Sequence, residues 1–181
     1  MKSEKIYIEY LVLKVQVGEK LPSEKEVGDE LFTLLHKKIK AFVLKILGGE
    51  DGVEDCVQIT LFQVFNKLGQ LKTPKAFHTW LYRVVYSSCM DHCRKSNRIF
   101  EAGEELTGDD SEVVDQQFDV KTAIAYLPEA QQAIVFLFYY EGFTVTQIAA
   151  TLDQPAGTIK YQLFEVRKKI KKQLTLNDGH I

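Results

Sequence analysis

The sequence predicts an all-α protein of two small helical domains joined by an acidic linker, the second domain being a helix-turn-helix of the winged-helix-like DNA-binding class. Apolar residues recur at helical intervals through most of the 181 residues. Residues 1–100 carry a net charge of +4, residues 101–119 hold eight acids and no base, and residues 121–174 carry +3. The acidic segment has too little apolar surface to offset its chain entropy, which indicates a linker. We therefore expect domains at 1–100 and 120–176 and a tail at 177–181.

Three helices are predicted in the first domain after its opening stretch. Ser23 and Glu26 have the spacing of a capping box, and the apolar stripe that follows runs to a Gly-Gly pair at residues 48–49. A second stripe covers residues 53–69, where Gly69 suits a left-handed position past the helix end.

The third helix follows a short loop. Thr73 offers its N-cap and Pro74 its first position, and one face carries apolar residues from Phe77 to Val85 and then Ser88 and His92. The opening stretch, residues 6–17, is rich in β-branched residues and tyrosine and suits a strand as well as a helix. We take it as a helix.

The second domain begins with a helix at residues 120–126. Pro128 opens a helix with nearly continuous apolar content, which indicates burial on most sides, and Gly142 ends it. Thr144 and Gln147 then form a capping box for a short apolar helix.

A tight turn at residues 153–155 leads into the last helix, whose inward face carries Ile159, Leu163, Val166 and Ile170. This is a helix-turn-helix pattern, in which the second helix presents its N-terminal turn to a major groove. A helical hairpin that only packs is the alternative interpretation.

Composition excludes several classes of protein. Hydrophobic residues make up 45% and charged residues 27% of the chain, which is neither collagen-like nor globally disordered. The longest apolar run, residues 133–140, is far short of the ~20 residues that cross a bilayer, and no signal-peptide pattern is present. We expect a cytoplasmic protein without membrane insertion.

The three cysteines predict no disulfide framework, because their number is odd and their spacing irregular. Cys89 and Cys93 flank His92 and suggest a metal clip, but a zinc site needs about four ligands and no CxxC pair supplies the others. We expect buried, reduced thiols and neither metal nor cofactor. Without a phosphate-binding glycine loop or a nucleophile–base pair, we also expect no enzyme.

Several segments, in order and covering most of residues 10–174, resemble conserved regions of bacterial sigma factors. Residues 54–62 are similar to the "EDLVQETFL" signature of the second region, and residues 77–84 with 91–95 to its "FRTWLYRIARNLALDHLRR". The fourth region, "LPE…EGLSYEEIA…VPVGTVKSRL", is matched at residues 127–129, 141–144, 148–149 and 157–160. Because the chain lacks the extra domains of housekeeping sigma factors, it is identified as a member of the extracytoplasmic-function (ECF) group.

The resemblance implies a subunit that binds core RNA polymerase, directs it to promoters and helps to melt them. The clamp helices of the largest polymerase subunit would then be contacted by Asp55 and Gln58 through hydrogen bonds, by Glu54 through its charge and by Phe62 through an apolar contact. The alternative is that Asp55 and Gln58 form an ordinary solvated face.

For the minus-ten element, the resemblance implies a pocket that holds an extruded base, in the loop before the Trp-containing helix and along that helix. Ser87 stands where the family often has Asn, so the base that is read can differ. Trp80 either stacks on a base or belongs to the core, and the basic residues contact phosphates unless they are an ordinary charged helix end. The implied residues are Leu71, Lys72, Thr73, Lys75, Trp80, Arg83, Ser87, Arg94, Lys95 and Arg98.

For the minus-thirty-five element, the resemblance implies contacts from the last helix. Tyr161 and Gln162 replace the Ser-Arg of the family, and Glu165 replaces an Arg, a change that repels phosphate but can accept from a cytosine amino group. The preferred sequence therefore does not carry over. The implied residues are Thr158, Lys160, Tyr161, Phe164 and Glu165 toward the groove, and Arg167, Lys168, Lys171 and Lys172 toward phosphates.

The expected partners are core RNA polymerase, through its clamp helices and flap, promoter DNA and an anti-sigma factor. With a pI near 6.1, the free chain, expected to be a monomer, should bind DNA weakly until polymerase joins the two domains. The acidic linker is either a solvated tether or a segment that threads the positively charged polymerase channel and mimics RNA. The competing class is a dimeric helix-turn-helix regulator, or a sigma-like interaction protein without promoter activity.

Overall fold

A computed structural model describes residues 2–17, 24–101 and 120–177 of the protein, which form helices and connecting turns with no strand among them. The all-α prediction is confirmed. None of the helices in these three ranges has the length and apolar character that crossing a bilayer requires. The helices are α1 (Lys2–Val17), α2 (Glu24–Leu47), α3 (Val53–Leu68), α4 (Phe77–Glu101), α5 (Val120–Ala125), α6 (Glu129–Val135), α7 (Val145–Leu152) and α8 (Ala156–Asn177).

The ambiguous opening stretch is helical, as we predicted. Ile8, Leu11 and Val12 of α1 are buried, and α1 packs against α2. Helix α2 ends at Leu47, and Gly48 follows with φ of +69°, so the predicted glycine stop is confirmed. Ser23 of the predicted capping box lies outside the described residues.

The prediction for Gly69 is wrong. Gly69 follows α3 in a right-handed conformation, with φ of −63° and ψ of −18°. The amide of Gln70 donates to the carbonyl of Lys67 at 3.0 Å, so the chain continues turning in the same hand after the helix ends. The left-handed glycine of α3 is instead Gly52, at its beginning, with φ of +66°.

The prediction for the start of α4 is partly wrong. Pro74 begins a 3-10 turn, Pro74–Ala76, and α4 follows it at Phe77. Thr73 has extended backbone, but its side chain makes no capping hydrogen bond; its carbonyl accepts from the amide of Ala76 at 2.9 Å. Helix α4 includes Glu101, the first residue of the expected linker, while residues 102–119 and 178–181 lie outside the described residues.

The predicted turn chemistry of the second half is confirmed. Gly142 has φ of +65° and follows a π-helical turn, Phe136–Tyr140, that extends α6. The hydroxyl of Thr144 accepts from the amide of Gln147 at 3.2 Å, and the amide of Thr144 donates to the side chain of Gln147 at 2.9 Å. This is the expected capping box at the start of α7.

Helices α7 and α8 form the predicted helix-turn-helix. Asp153, between them, has φ of +55°, and α7 packs against α8. Ile159, Leu163 and Val166 are buried and Ile170 is half-buried, so the inward face of α8 is the predicted one.

The N-terminal unit (α1–α4) and the C-terminal unit (α5–α8) pack against each other. Helix α6 contacts α2, and α7 contacts α4. Four aromatic rings meet between the units: Phe42 lies 5.0 Å from Phe136 and Tyr82 lies 5.6 Å from Phe143, measured between ring centroids. The sequence does not predict this contact, because these apolar residues would equally suit the core of their own unit.

Candidate functional surfaces

The outer face of α3 presents Asp55, Gln58 and Phe62 to solvent. Phe62 exposes 70% of its surface, and its neighbour Ile59 exposes 51%. The opposite face of α3 is buried, so Phe62 and Ile59 lie outside the core. A contiguous exposed apolar patch with polar groups at its edge is typical of a protein-binding surface.

An apolar depression of about 280 Å³ adjoins this face. Phe32 of α2 and Phe65 of α3 form its wall, with ring centroids 6.0 Å apart. The depression can take an apolar side chain of a partner, and the amide of Gln58 at its edge can make a hydrogen bond. Its lining residues are Phe32, Gln58, Leu61, Phe62 and Phe65.

Glu54 lies at one end of the same face and is already partnered. One carboxylate oxygen, Oε1, lies 3.4 Å from His36 Nε2, and the other, Oε2, lies 3.3 Å from Lys40 Nζ. The hydrogen bonds to His36 and Lys40 lower the pKa of this exposed carboxyl. Glu54 therefore keeps its negative charge in the first turn of α3, where the helix dipole favours it.

The residues predicted to contact minus-ten DNA begin in the loop between α3 and α4. Lys72, Thr73 and Lys75 are exposed, and Leu71 is half-buried against the core. Two lysines and a hydroxyl thus project from a loop anchored by one apolar side chain.

On α4, Trp80 is half-buried and packs against Phe77, with ring centroids 5.9 Å apart. Part of the indole is therefore core and part remains accessible. Arg83 is exposed, and its guanidinium lies 3.4 Å from the carboxylate of Asp153, in the turn between α7 and α8. Ser87 is exposed on the same helix.

The basic end of α4 is only partly described. The guanidinium of Arg94 pairs with Asp91 at 2.7 Å, and Lys95 is exposed. Arg98 follows in α4, outside the residues whose side chains the structure describes.

The N-terminal half of α8 carries the predicted minus-thirty-five residues on its outer side. Tyr161 and Phe164 expose 64% and 61% of their surfaces. Thr158 and Lys160 are exposed and Glu165 is half-buried. Two aromatic rings, a cation and a hydroxyl are therefore available to a groove.

Further along α8 the cations differ in their surroundings. Arg167 Nε donates to the hydroxyl of Tyr139 at 2.9 Å, and its guanidinium lies 5.7 Å from the ring centroid of Phe138. These contacts fix Arg167 against the π-helical turn, whereas Lys168 is simply exposed. Lys171 and Lys172 are exposed on the next turn.

The C-terminal unit also contains an apolar groove of about 500 Å³ between α5, the π-helical turn and α8. Its lining is mostly apolar, which suits one face of a partner helix, and it includes the cationic residues Arg167 and Lys171. Its lining residues are Val120, Ile124, Val135, Tyr139, Tyr140, Val166, Arg167, Ile170 and Lys171.

Sequence reasoning missed a buried carboxylate between the two units. Glu141 is buried, and its carboxylate oxygens each lie 3.5 Å from an ammonium group, those of Lys5 and Lys38. Burial lowers the pKa of Lys5, although Glu141 opposes the shift, and burial together with the charge of Glu141 raises the pKa of Tyr82. The sequence signal that could have indicated its burial is the position of this glutamate between the apolar run 136–140 and Phe143.

The three cysteines are free thiols. Cys56 and Cys89 are buried, with sulfur atoms 3.7 Å apart, while Cys93 is only half-buried. Within the described residues, no three His, Cys, Asp or Glu side chains are grouped so that they could hold a metal ion.

Comparison with protein-family models finds two matches. The model of Sigma-70 region 2 matches residues 31–99, which hold most of α2, α3 and α4. The model of Sigma-70, region 4 matches residues 117–170, which hold the helix-turn-helix. Together they cover most of the chain.

Known proteins of similar sequence and structure agree with these matches. RNA polymerase sigma-H factor of Pseudomonas aeruginosa is 24% identical over 91% of this chain and 92% of its own length. ECF RNA polymerase sigma factor SigW of Bacillus subtilis is 19% identical over 91% and 97%. The fold is similar to that of the sigma factor RpoE of Bartonella quintana, solved in complex with the anti-sigma factor NepR. That comparison has a TM-score of 0.67 and 23% identity over 84% of this chain and 99% of the other.

Proposed function

Since the chain belongs to the sigma-70 family, and its relatives include ECF sigma factors, we propose that it binds core RNA polymerase and directs it to promoters. The N-terminal unit would recognise the minus-ten element and the helix-turn-helix the minus-thirty-five element. The observation that carries this proposal is the order of the two family regions, each bearing its own exposed surface. We propose no catalytic role for the chain, and we expect it to act in the cytoplasm with polymerase.

The outer face of α3 is the proposed polymerase contact. Phe62 would enter an apolar site on the clamp helices, while Asp55 and Gln58 make hydrogen bonds beside it. Exposure of Phe62 at 70% supports this, since burying a large apolar side chain is favourable by about 1.5–3 kcal/mol. Glu54 would add negative charge at the edge of the contact.

The apolar groove of the C-terminal unit is the proposed contact with the polymerase flap. Its apolar lining suits the apolar face of a helix, and its volume of about 500 Å³ supports insertion of several side chains. Contact of one chain with polymerase at two places raises the effective concentration of each unit at the DNA.

The loop at residues 69–76 and the outer face of α4 are the proposed minus-ten contacts. An extruded base would enter at the loop, stacking on the accessible part of Trp80, while Lys72, Lys75 and Arg83 approach the backbone. Stacking of one base on an aromatic side chain is worth about 1–3 kcal/mol, which can offset the cost of unstacking it from duplex DNA.

The outer side of α8 is the proposed minus-thirty-five contact. Lys160, Tyr161 and Phe164 lie near its N-terminus, the part of a recognition helix that reaches base edges. Arg167 and Lys168 would bind phosphates, and the contact of Arg167 with Tyr139 holds its guanidinium in a fixed direction.

Reading both elements requires the two units to separate. The names of the two promoter elements place them about 25 base pairs apart, or about 85 Å at 3.4 Å per base pair. In the structure, Arg83 of the proposed minus-ten surface lies 3.4 Å from Asp153 of the helix-turn-helix. The packed arrangement is therefore a state that precedes promoter binding, and the linker at 102–119 would span the units after they open.

An anti-sigma factor is the further proposed partner. The RpoE of Bartonella quintana is bound to one, NepR. The exposed apolar surfaces of α3 and of the C-terminal groove give such a protein a place to compete with polymerase.

Run-off transcription tests the proposal. Core polymerase, the purified chain and a library of promoter fragments are combined, and the RNA products are sequenced. We expect RNA from a subset of fragments that share two sequence elements, and none without the chain. Absence of chain-dependent RNA, together with a doubled mass in solution, would instead support a dimeric helix-turn-helix regulator.

A further inference from the structure

Helix α1 makes specific contacts with the loop that is proposed to read the minus-ten element. Gln16 donates from its side-chain amide to the carbonyl of Leu68 at 2.7 Å and to the carbonyl of Leu71 at 2.9 Å. Both acceptors are carbonyls, so both hydrogens of one amide nitrogen are used. Leu68 ends α3, and Leu71 directly precedes Lys72 and Thr73.

The first of these contacts gives a carbonyl at the end of α3 a second hydrogen-bond donor. The last four carbonyls of an α-helix have no partner within it, and a helix end needs groups that supply one. Leu68 also accepts from the amide of Leu71 at 3.2 Å. Gln16 thereby joins the end of α3 and the start of the loop through one side chain.

A second contact holds the other end of the loop to the same helix. His78, in the first turn of α4, lies with Nε2 3.2 Å from the backbone carbonyl of Lys5. The ring is buried, and α1 also packs against the 3-10 turn Pro74–Ala76. Helix α1 thus holds both ends of the segment 69–76, through the side chain of Gln16 at one end and the carbonyl of Lys5 at the other.

The geometry points to Gln16 as a positioning residue for base capture. Helix α1 supports the loop, and Gln16 fixes the loop backbone from which Thr73 meets the extruded base and Lys72 approaches its phosphate. The inference rests on the proposed function of the loop. A pocket that binds one base must hold its groups within a fraction of an ångström, and ordering a mobile loop at the moment of binding would weaken the capture. Gln16 itself touches no DNA.

Two variants remove the donors and keep the side-chain size. Gln16→Glu replaces the amide nitrogen with an oxygen that faces two carbonyls, and Gln16→Leu removes polarity altogether. Leu13→Ala is the matched control, because Leu13 lies on the outer side of α1 and is 46% exposed. Circular dichroism and binding to core polymerase, through α3, establish that each variant is folded.

The test measures open complexes formed by each holoenzyme on the promoter selected by run-off transcription. Each non-template base of the minus-ten element is replaced in turn by an abasic site. Loss of the captured base should reduce open complexes of the wild type about 10-fold or more. On the intact promoter, both Gln16 variants should form about 10-fold fewer open complexes than the wild type. Placing the abasic site at the captured position should then reduce the open complexes of each variant by less than about 2-fold more. Binding of the variants to core polymerase should be unchanged.

A general loss of stability would reduce open complexes on all templates by the same factor. The further reduction caused by the abasic site would then be as large as in the wild type. That result, or full activity of both Gln16 variants on the intact promoter, would overturn the inference while leaving the proposed function of the loop in place. A wild-type holoenzyme that is insensitive to abasic sites throughout the minus-ten element would overturn the proposed function of the loop and this inference with it.

Discussion

Gly52 and His92 are packed together where α3 begins. A Cβ built on Gly52 would lie 2.3 Å from His92 Nε2, and the backbone of Gly52 has φ of +66°. The left-handed backbone disfavours any side chain here, and a Cβ would also displace the His92 ring. Gly52 thus sets the angle at which α3, with its proposed polymerase contact, leaves the preceding turn.

We expect Gly52→Ala to lower the free energy of unfolding by about 1–2 kcal/mol, the cost of placing an L-residue in left-handed backbone, because the flexible His92 ring can move aside. Urea denaturation measures this free energy of unfolding for the wild type and the variant. Gly49→Ala is the matched control, since a Cβ there meets nothing within 4 Å and the backbone is not left-handed. Equal stability of the two variants would contradict this interpretation.

His78 makes the stability depend on pH. Burial, with the positive charges of Lys5 and Lys38, lowers its pKa below 6.5, while Glu9, at 3.7 Å, and the Lys5 carbonyl oppose the shift. Nδ1 is buried without a hydrogen-bond partner, so protonation would place an unpaired donor in the core. The unfolded chain therefore takes up a proton at a higher pH than the folded chain, and stability is lost as the pH falls below 6.5.

In His78→Gln the amide nitrogen can still donate to the Lys5 carbonyl, but the side chain cannot titrate. We expect the variant to lose less stability than the wild type when the pH is lowered through this window. Thermal unfolding at a series of pH values gives the comparison. Parallel curves for the two proteins would show that His78 does not contribute.

At the scale of elements, α3 divides cleanly into a buried face and a binding face. Val57, Leu61 and Val64 are buried, whereas Asp55, Gln58 and Phe62 are exposed. Substitutions on the outer face should therefore alter binding without altering the fold.

We expect Asp55→Ala with Gln58→Ala to weaken binding to core polymerase at least 10-fold, since a hydrogen bond to a charged group is worth about 1.5–3 kcal/mol. The melting temperature should be unchanged. Asp51→Ala is the control, because Asp51 is exposed and precedes α3. Fluorescence anisotropy of the labelled chain measures the affinity, and wild-type affinity of the double variant would remove α3 as the contact.

Local chemistry explains which elements could be predicted from the sequence. The capping box of Thr144 and Gln147 and the stop at Gly142 depend on residues within three positions of each other, and the structure contains both. Gly69 and Gly52 both flank α3, but only Gly52 has the left-handed backbone that requires glycine, and the sequence alone does not show which of the two adopts it. Thr73 failed as a side-chain cap because Pro74 starts a 3-10 turn rather than the helix.

The exposure of residues such as Gln58, Tyr161 and Phe164 was predictable, because helical periodicity places them away from the buried stripe of their own helix. Gln16 was missed because its partners are 52 and 55 positions away. Glu141 was missed because Lys38 and Lys5 are 103 and 136 positions away. Contacts at such separations leave no periodic signal in one sequence.

At the scale of the whole molecule, Glu141 ties the C-terminal unit to α1 and α2. Its carboxylate lies between Lys5 and Lys38, and the side chain of Lys5 also lies 4.6 Å from the ring centroid of Phe143. Removing one partner of a buried ion pair is costly, because the others stay desolvated.

We expect Glu141→Gln to shift the free chain toward an open form, seen as a larger radius of gyration by small-angle scattering and lower energy transfer between dyes on the two units. Glu129→Gln is the matched control, since Glu129 is an exposed glutamate at the start of α6. If both variants are as compact as the wild type, then Glu141 is not what holds the units together.

The central claim is that neither unit holds a promoter firmly until polymerase carries both. Each unit would neutralise about 3–4 phosphates, so its affinity should fall about three decades per tenfold increase in salt. The most direct measurement is binding of a labelled selected promoter at physiological salt to the chain alone, to core polymerase alone and to both. We predict a sequence-specific complex only with both, and tight specific binding by the isolated chain would contradict the account.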